Sequence, residues 1–182
     1  MKTWISILRG INVGGRNPIK MDALRAMFIQ LGFSGVRSYI QSGNVIFNTD
    51  LIDSKSIGKL ISEEIMKTFC FVVPVLVIQR EELRNIVETN PYLADSAKDA
   101  AFIHITFLSE NPDKTLIDKI SGGNYDPDEF CFGEKVIYLY CPTGYGNTKL
   151  SNTFFENKLK LTATTRNIKT TKELLAIADM QL

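Results

Sequence analysis

One order of apolar patterns, strand–helix–strand–strand–helix–strand, runs twice along the 182 residues, and few folds accommodate it. Short apolar runs bounded by turn residues mark strands, and apolar residues recurring every three or four positions mark helices. The first copy predicts a strand at 3–9 and a helix at 20–31, with Met21, Leu24, Met27, Phe28 and Leu31 on one face and Gly32 as its stop. Strands at 36–40 and 44–47 follow, joined by Gln41-Ser42-Gly43. A helix at 54–69 carries Ile57, Leu60, Ile61, Ile65 and Phe69, and a strand at 75–78 closes the copy. The second copy predicts a strand at 101–108, then a helix opened by Asn111-Pro112 and stopped by Gly122-Gly123. A hairpin of 130–132 and 135–141 about Gly133-Glu134 comes next, then a helix from about 148 and a short strand at 162–165. An extra helix at 171–180 opens with Thr170-x-x-Glu173, a capping box. The expected class is α+β, two ferredoxin-like subdomains at 1–79 and 101–182, with a short helix and polar linker at 80–100.

The composition, 45% hydrophobic and 23% charged, supports real cores. No apolar run reaches membrane-spanning length; the longest, 69–78, is broken by Pro74 and reads as a buried strand. No leader-like pattern follows Lys2, so a soluble cytoplasmic protein is expected. Cys70, Cys131 and Cys141 lack paired spacing and sit in apolar surroundings, which reads as buried thiols. With His104 as the one histidine, no metal site is expected, and nothing implies a cofactor. The net charge of +1 hides an asymmetry. Residues 1–49 carry six basic and one acidic side chain, hence +5. Residues 50–133 carry eight and fifteen, hence −7, and residues 134–182 carry seven and four, hence +3. Cationic ends on a near-neutral chain suit a small anionic ligand better than bulk nucleic acid.

The first strand runs into Arg9-Gly10-Ile11-Asn12-Val13-Gly14-Gly15. Gly10, Gly14 and Gly15 permit backbone angles closed to other residues, and successive N–H groups in such a turn form an anion-binding concavity. Arg9 offers a bidentate fork to phosphate or carboxylate, and Lys20 adds charge at the first helix start. Arg16-Asn17 stands where a P-loop needs Lys-Ser/Thr, and Gly10-x-Asn12 breaks the dinucleotide fingerprint. The plainer reading is that these glycines only solve a turn problem.

The stretch Leu8-Arg9-Gly10-Ile11-Asn12-Val13-Gly14-Gly15 resembles the opening signature of a bacterial family catalogued as domain of unknown function 1697. The similarity continues through Met21-x-x-Leu24-Arg25, Leu31-Gly32-Phe33 and Val36-Arg37-x-Tyr39-Ile40-Gln41-Ser42-Gly43-Asn44-Val45. Near the end, Thr162-x-x-Thr165-Arg166-Asn167 with Thr170-x-x-x-Leu174 is similar to the family's closing motif, with Ile168 where a Trp is usual. The resemblance implies two ferredoxin-like subdomains in a cytosolic bacterial protein, and it implies no activity or substrate.

Three polar segments thus stand out, and they are expected to converge on one cleft. Arg9 and Arg166 would bind a small anion, phosphate-bearing or a nucleotide, with Asn12, Ser42, Gly43, Asn44 and Asn167 orienting it. Ser42 lacks a nucleophile elbow, since Ile40 stands at its first glycine, and His104 reads as a packed strand residue. Whether any reaction is catalysed stays open. Single-stranded nucleic acid is the second reading: Tyr138 and Tyr140 share a strand face, as in the RNA-recognition motif, although that motif's glycine-aromatic consensus is missing. A third reading is partner binding, with an open sheet face pairing with a second copy. The sequence leaves the oligomeric state undecided.

Overall fold

A computed structural model describes residues 1–180. The chain divides into two compact units, Met1–Arg84 together with the chain from 173 onward, and Asn85–Lys172. No helix among the described residues is long and apolar enough to cross a membrane.

The first unit contains β1 (Lys2–Leu8), α1 (Met21–Gln30), β2 (Ser34–Tyr39), β3 (Asn44–Thr49), α2 (Ser54–Phe69) and β4 (Val75–Gln79). Its antiparallel sheet has the order β2-β3-β1-β4, the ferredoxin-like arrangement. Period-two alternation sends Trp4, Leu8, Val45 and Phe47 to the helix side. There they meet Leu24 and Phe28 of α1 and Ile57, Ile61 and Ile65 of α2. Phe28, Phe33 and Phe47 form an aromatic cluster, with Phe33 stacked on Phe47 at 4.6 Å between centroids. Each buried ring stabilises the unit by about 1.5–3 kcal/mol. Gly58 lets α2 lie close on β4, because a Cβ there would sit 3.0 Å from the Val75 carbonyl oxygen.

The second unit repeats the plan with β5 (Ile103–Leu108), α5 (Lys114–Ser121), β6 (Glu129–Gly133), β7 (Val136–Tyr140), α6 (Asn152–Leu159) and β8 (Ala163–Asn167), sheet order β6-β7-β5-β8. Its helix-side core joins Ile137 and Leu139 to Ile120, Phe155 and Leu159. The expected linker is structured. It comprises α3 (Arg80–Glu88), α4 (Pro91–Ala94), a turn and a 3-10 turn at 100–102. The last helix is α7 (Ile168–Asp179).

Several expectations need correction. On the far side of the first sheet Ile5, Ile7 and Ile46 are fully buried, as are Ile103 and Ile105 of the second. The helix after β5 is capped by Asp113, whose carboxylate takes the Thr115 N–H. Asn111 instead accepts the Lys135 N–H across 24 residues, tying down the β6–β7 turn. The last helix starts at Ile168, because the Asn167 side chain accepts the Thr170 N–H at 2.7 Å and fills the cap position before any capping box can form. The 69–78 run becomes strand only from Val75, and Val72 is exposed. Cys70 is exposed as the left-handed cap of α2, Cys131 is half-buried and Cys141 buried.

Candidate functional site

In the first unit two loops are tied into one surface. Residues Val13-Gly14-Gly15-Arg16 make a tight turn with both central glycines at positive φ, closed by the Arg16 N–H to the Val13 carbonyl at 3.0 Å. The glycines therefore close a hairpin tip. Asn12, itself at φ 54, is the clamp. Its amide donates to the carbonyls of Ile19 and Gln41, both at 2.8 Å, and its carbonyl accepts the Ile19 N–H. Asn17, at φ 44, donates to the Gly10 carbonyl at 3.0 Å. Across the clamp lies the 40–43 turn between β2 and β3. The Leu8 N–H donates to the Gly43 carbonyl at 2.8 Å, and a Cβ on Gly43 would sit 2.7 Å from Leu8 Cβ and 2.8 Å from Ile11. Buried Asn44 donates to the Tyr39 carbonyl and to Ser42 Oγ, which holds the turn's geometry.

Arg9 leaves the end of β1 half-buried, with its N–H on the Pro74 carbonyl at 3.0 Å. Arg16 and Lys20 are exposed on the same loop. No carboxylate occurs in residues 1–21. Ile40 was not picked out from the sequence as a site residue, yet it carries the sharpest local anomaly. A β-branched side chain at φ 51 is an outlier that costs about 1–3 kcal/mol, and it is 49% exposed.

In the second unit Arg166 lies on β8 opposite Ile105. Its Nη1 donates to Thr164 Oγ1 and to the Thr165 carbonyl, and burial lowers its guanidinium pKa to about 10. Asn167 is spent as the α7 cap. The helix side of β8 carries a hydroxyl network absent from the sequence reading. The Thr165 proton goes to Asn152 Oδ1 at 2.7 Å, so Tyr145 and Thr106 both donate to Thr165 Oγ1. His104 stacks on Tyr145 at 4.9 Å and 23°. Its Nδ1–H donates to the Phe102 carbonyl at 3.1 Å, which leaves Nε2 as the acceptor. Burial lowers its pKa, and the carbonyl contact only partly opposes this. Among the described residues no group of three His, Cys, Asp or Glu is placed to hold a metal ion. On the other face Tyr138 is buried and its hydroxyl meets Thr89 Oγ1 at 3.2 Å, so it is not displayed for base stacking.

The family model for a protein of unknown function, DUF1697, matches residues 1–138. The chain belongs to the DUF1697 family. The match takes in the Arg9 loop and the 40–44 turn, and it ends before Arg166 and Asn167. A conserved bacterial protein from Streptococcus pneumoniae, SP0830, has a similar solved structure. It is 24% identical over 97% of this chain and 98% of its own, with a TM-score of 0.76, and this likeness speaks to fold alone. No curated protein matches the chain by sequence. Within this DUF1697 chain, then, the three sequence motifs have different roles. Asn12, Gly43, Asn44 and Asn167 build loops and caps, Arg9, Lys20 and Ser42 lie at the loops of the first unit, and Arg166 is buried on β8. The Asn12–Gln41 tie spans 29 residues and leaves no local signal; the residue types of the two turns were the only hint of it.

Proposed function

We propose that this protein binds a small anionic ligand, bearing phosphate or carboxylate, on the tied loop pair of the first unit, with Arg9 as its guanidinium anchor. The observation that carries the reading is the tied loop pair of the first unit. It is surface-exposed, bears Arg9, Arg16 and Lys20, and keeps Ile40 in a strained conformation. Strain held on an exposed turn by hydrogen bonds from a second loop is what preorganised binding surfaces share. A guanidinium fork matches phosphate or carboxylate with two parallel hydrogen bonds. Lys20 adds point charge at the start of α1. Three unpaired thiols fit the reducing cytoplasm as the place of action.

The test is calorimetric titration of the full chain with inorganic phosphate, nucleoside monophosphates and sugar phosphates. Losing a charged, bidentate contact should weaken binding by about tenfold or more in Arg9→Ala. Equal affinity in wild type and Arg9→Ala removes Arg9 from the proposal. Absence of binding to every anion in wild type removes the reading itself.

A further inference from the structure

Within the second unit, the segment 94–100 is exposed at every residue except Lys98, whose side chain turns inward and is only 16% exposed. Two aspartates shape this. Asp95 accepts the Ala97 N–H on its side chain and the Lys98 N–H on its carbonyl, making a tight turn. Asp99 caps the following 3-10 turn through the Ala101 N–H. The ammonium of Lys98 is thereby delivered over the Tyr140 ring, 4.4 Å from its centroid, and 5.8 Å from that of Tyr92. It also pairs with the Glu129 carboxylate. Phe102 stands edge-on to Tyr140 at 6.5 Å and 86°, and Tyr92 lies 6.1 Å from it. Glu129 is placed by register, directly opposite Tyr140 on β6.

Two tyrosine rings and one carboxylate are groups that recognise an alkylammonium ion, by cation–π attraction and ion pairing. Here the occupant comes from the chain itself, on an otherwise exposed turn. We propose that the Tyr92–Tyr140–Glu129 box is an alkylammonium-binding site for which Lys98 is the built-in occupant. An external alkylammonium ion competes for the box by displacing Lys98, which releases the 95–99 turn from the sheet. The inference is independent of the anion reading, since it uses other residues and the opposite charge.

The experiment titrates the full chain with n-butylammonium, following the Tyr92 and Tyr140 ring resonances, in wild type, Lys98→Ala and Lys98→Ala/Glu129→Gln. Lys98→Ala should bind n-butylammonium about tenfold more tightly than wild type, and the double variant should lose that gain. A folded Lys98→Ala that binds no better than wild type overturns the proposal. If Lys98→Ala does not fold, amide exchange in wild type decides. n-Butylammonium, but not sodium at equal ionic strength, should speed exchange of the Lys98 amide held by Asp95. Equal rates in the two salts overturn the proposal as well.

Discussion

Gly43 shows how one missing side chain sets the geometry of the loop pair. Its φ of +76 is disfavoured for any other residue, and a Cβ there would meet Leu8 and Ile11 within 3 Å. Leu8 presents its Cβ, an atom fixed to the backbone, so it cannot turn aside. Gly43→Ala should therefore lose about 2–4 kcal/mol in urea unfolding, from left-handed strain together with overpacking. It should also weaken anion binding, by parting the turn from the Arg9 loop. His104 makes a second prediction at this scale. Burial holds its folded pKa below the ordinary 6.5, so the unfolded chain takes up its proton first as pH falls. Stability contributed by neutral His104 is present in full above pH 6.5 and is lost as pH drops through the folded value. Urea unfolding at pH 8 and at pH 5 should show this loss in wild type, and His104→Gln should flatten it. As the one histidine of the chain, His104 also gives an unambiguous imidazole proton resonance, whose midpoint should lie below 6.5.

The elements were legible because the periods are clean. Ile57, Ile61 and Ile65 recur at helical spacing and all three are buried in α2, while Trp4 and Leu8 alternate with Ile5 and Ile7 along β1. Where the reading slipped, two residues competed for one cap. Asn111 and Asp113 both suit an N-cap, and only the backbone path shows that Asp113 reaches the helix while Asn111 reaches Lys135. Thr170-x-x-Glu173 reads as a capping box, yet Asn167 comes first and its side chain is already on the Thr170 N–H. Glycine inside a helix is another place where local rules mislead. Replacing Gly58 by Ala should add about 1 kcal/mol of helix propensity. The new methyl would press on the Val75 carbonyl at 3.0 Å, backbone that hydrogen bonding to β1 holds in place. Packing should win, so Gly58→Ala should lower the melting temperature despite its better propensity.

At the scale of the whole molecule, the doubled strand and helix order was legible, because each half must bury two amphipathic helices on one four-stranded sheet. The surface formed by the two loops was not, because the Asn12 clamp that joins them is a long-range bond between polar atoms and has no period to betray it. Charge distribution is the one global property that bears on the ligand. The chain nets only +1, but its first 49 residues hold +5, so attraction to an anion is local. This separates the two ligand classes by salt dependence. A nucleic acid neutralised by several cations releases several counterions, and its affinity falls with a log–log slope of about −0.7 per phosphate contact on a single strand. One small anion held by a guanidinium and its neighbouring loop releases few ions and should show a slope near −1 or shallower. The measurement is fluorescence or calorimetric titration of the best anion found, and of a labelled oligonucleotide, between 50 and 500 mM sodium chloride. A shallow slope with the anion and no saturable oligonucleotide binding at 150 mM salt is the expected outcome. A tight oligonucleotide complex with a slope steeper than about −3 would instead mean that the cationic loop tracks a phosphate backbone.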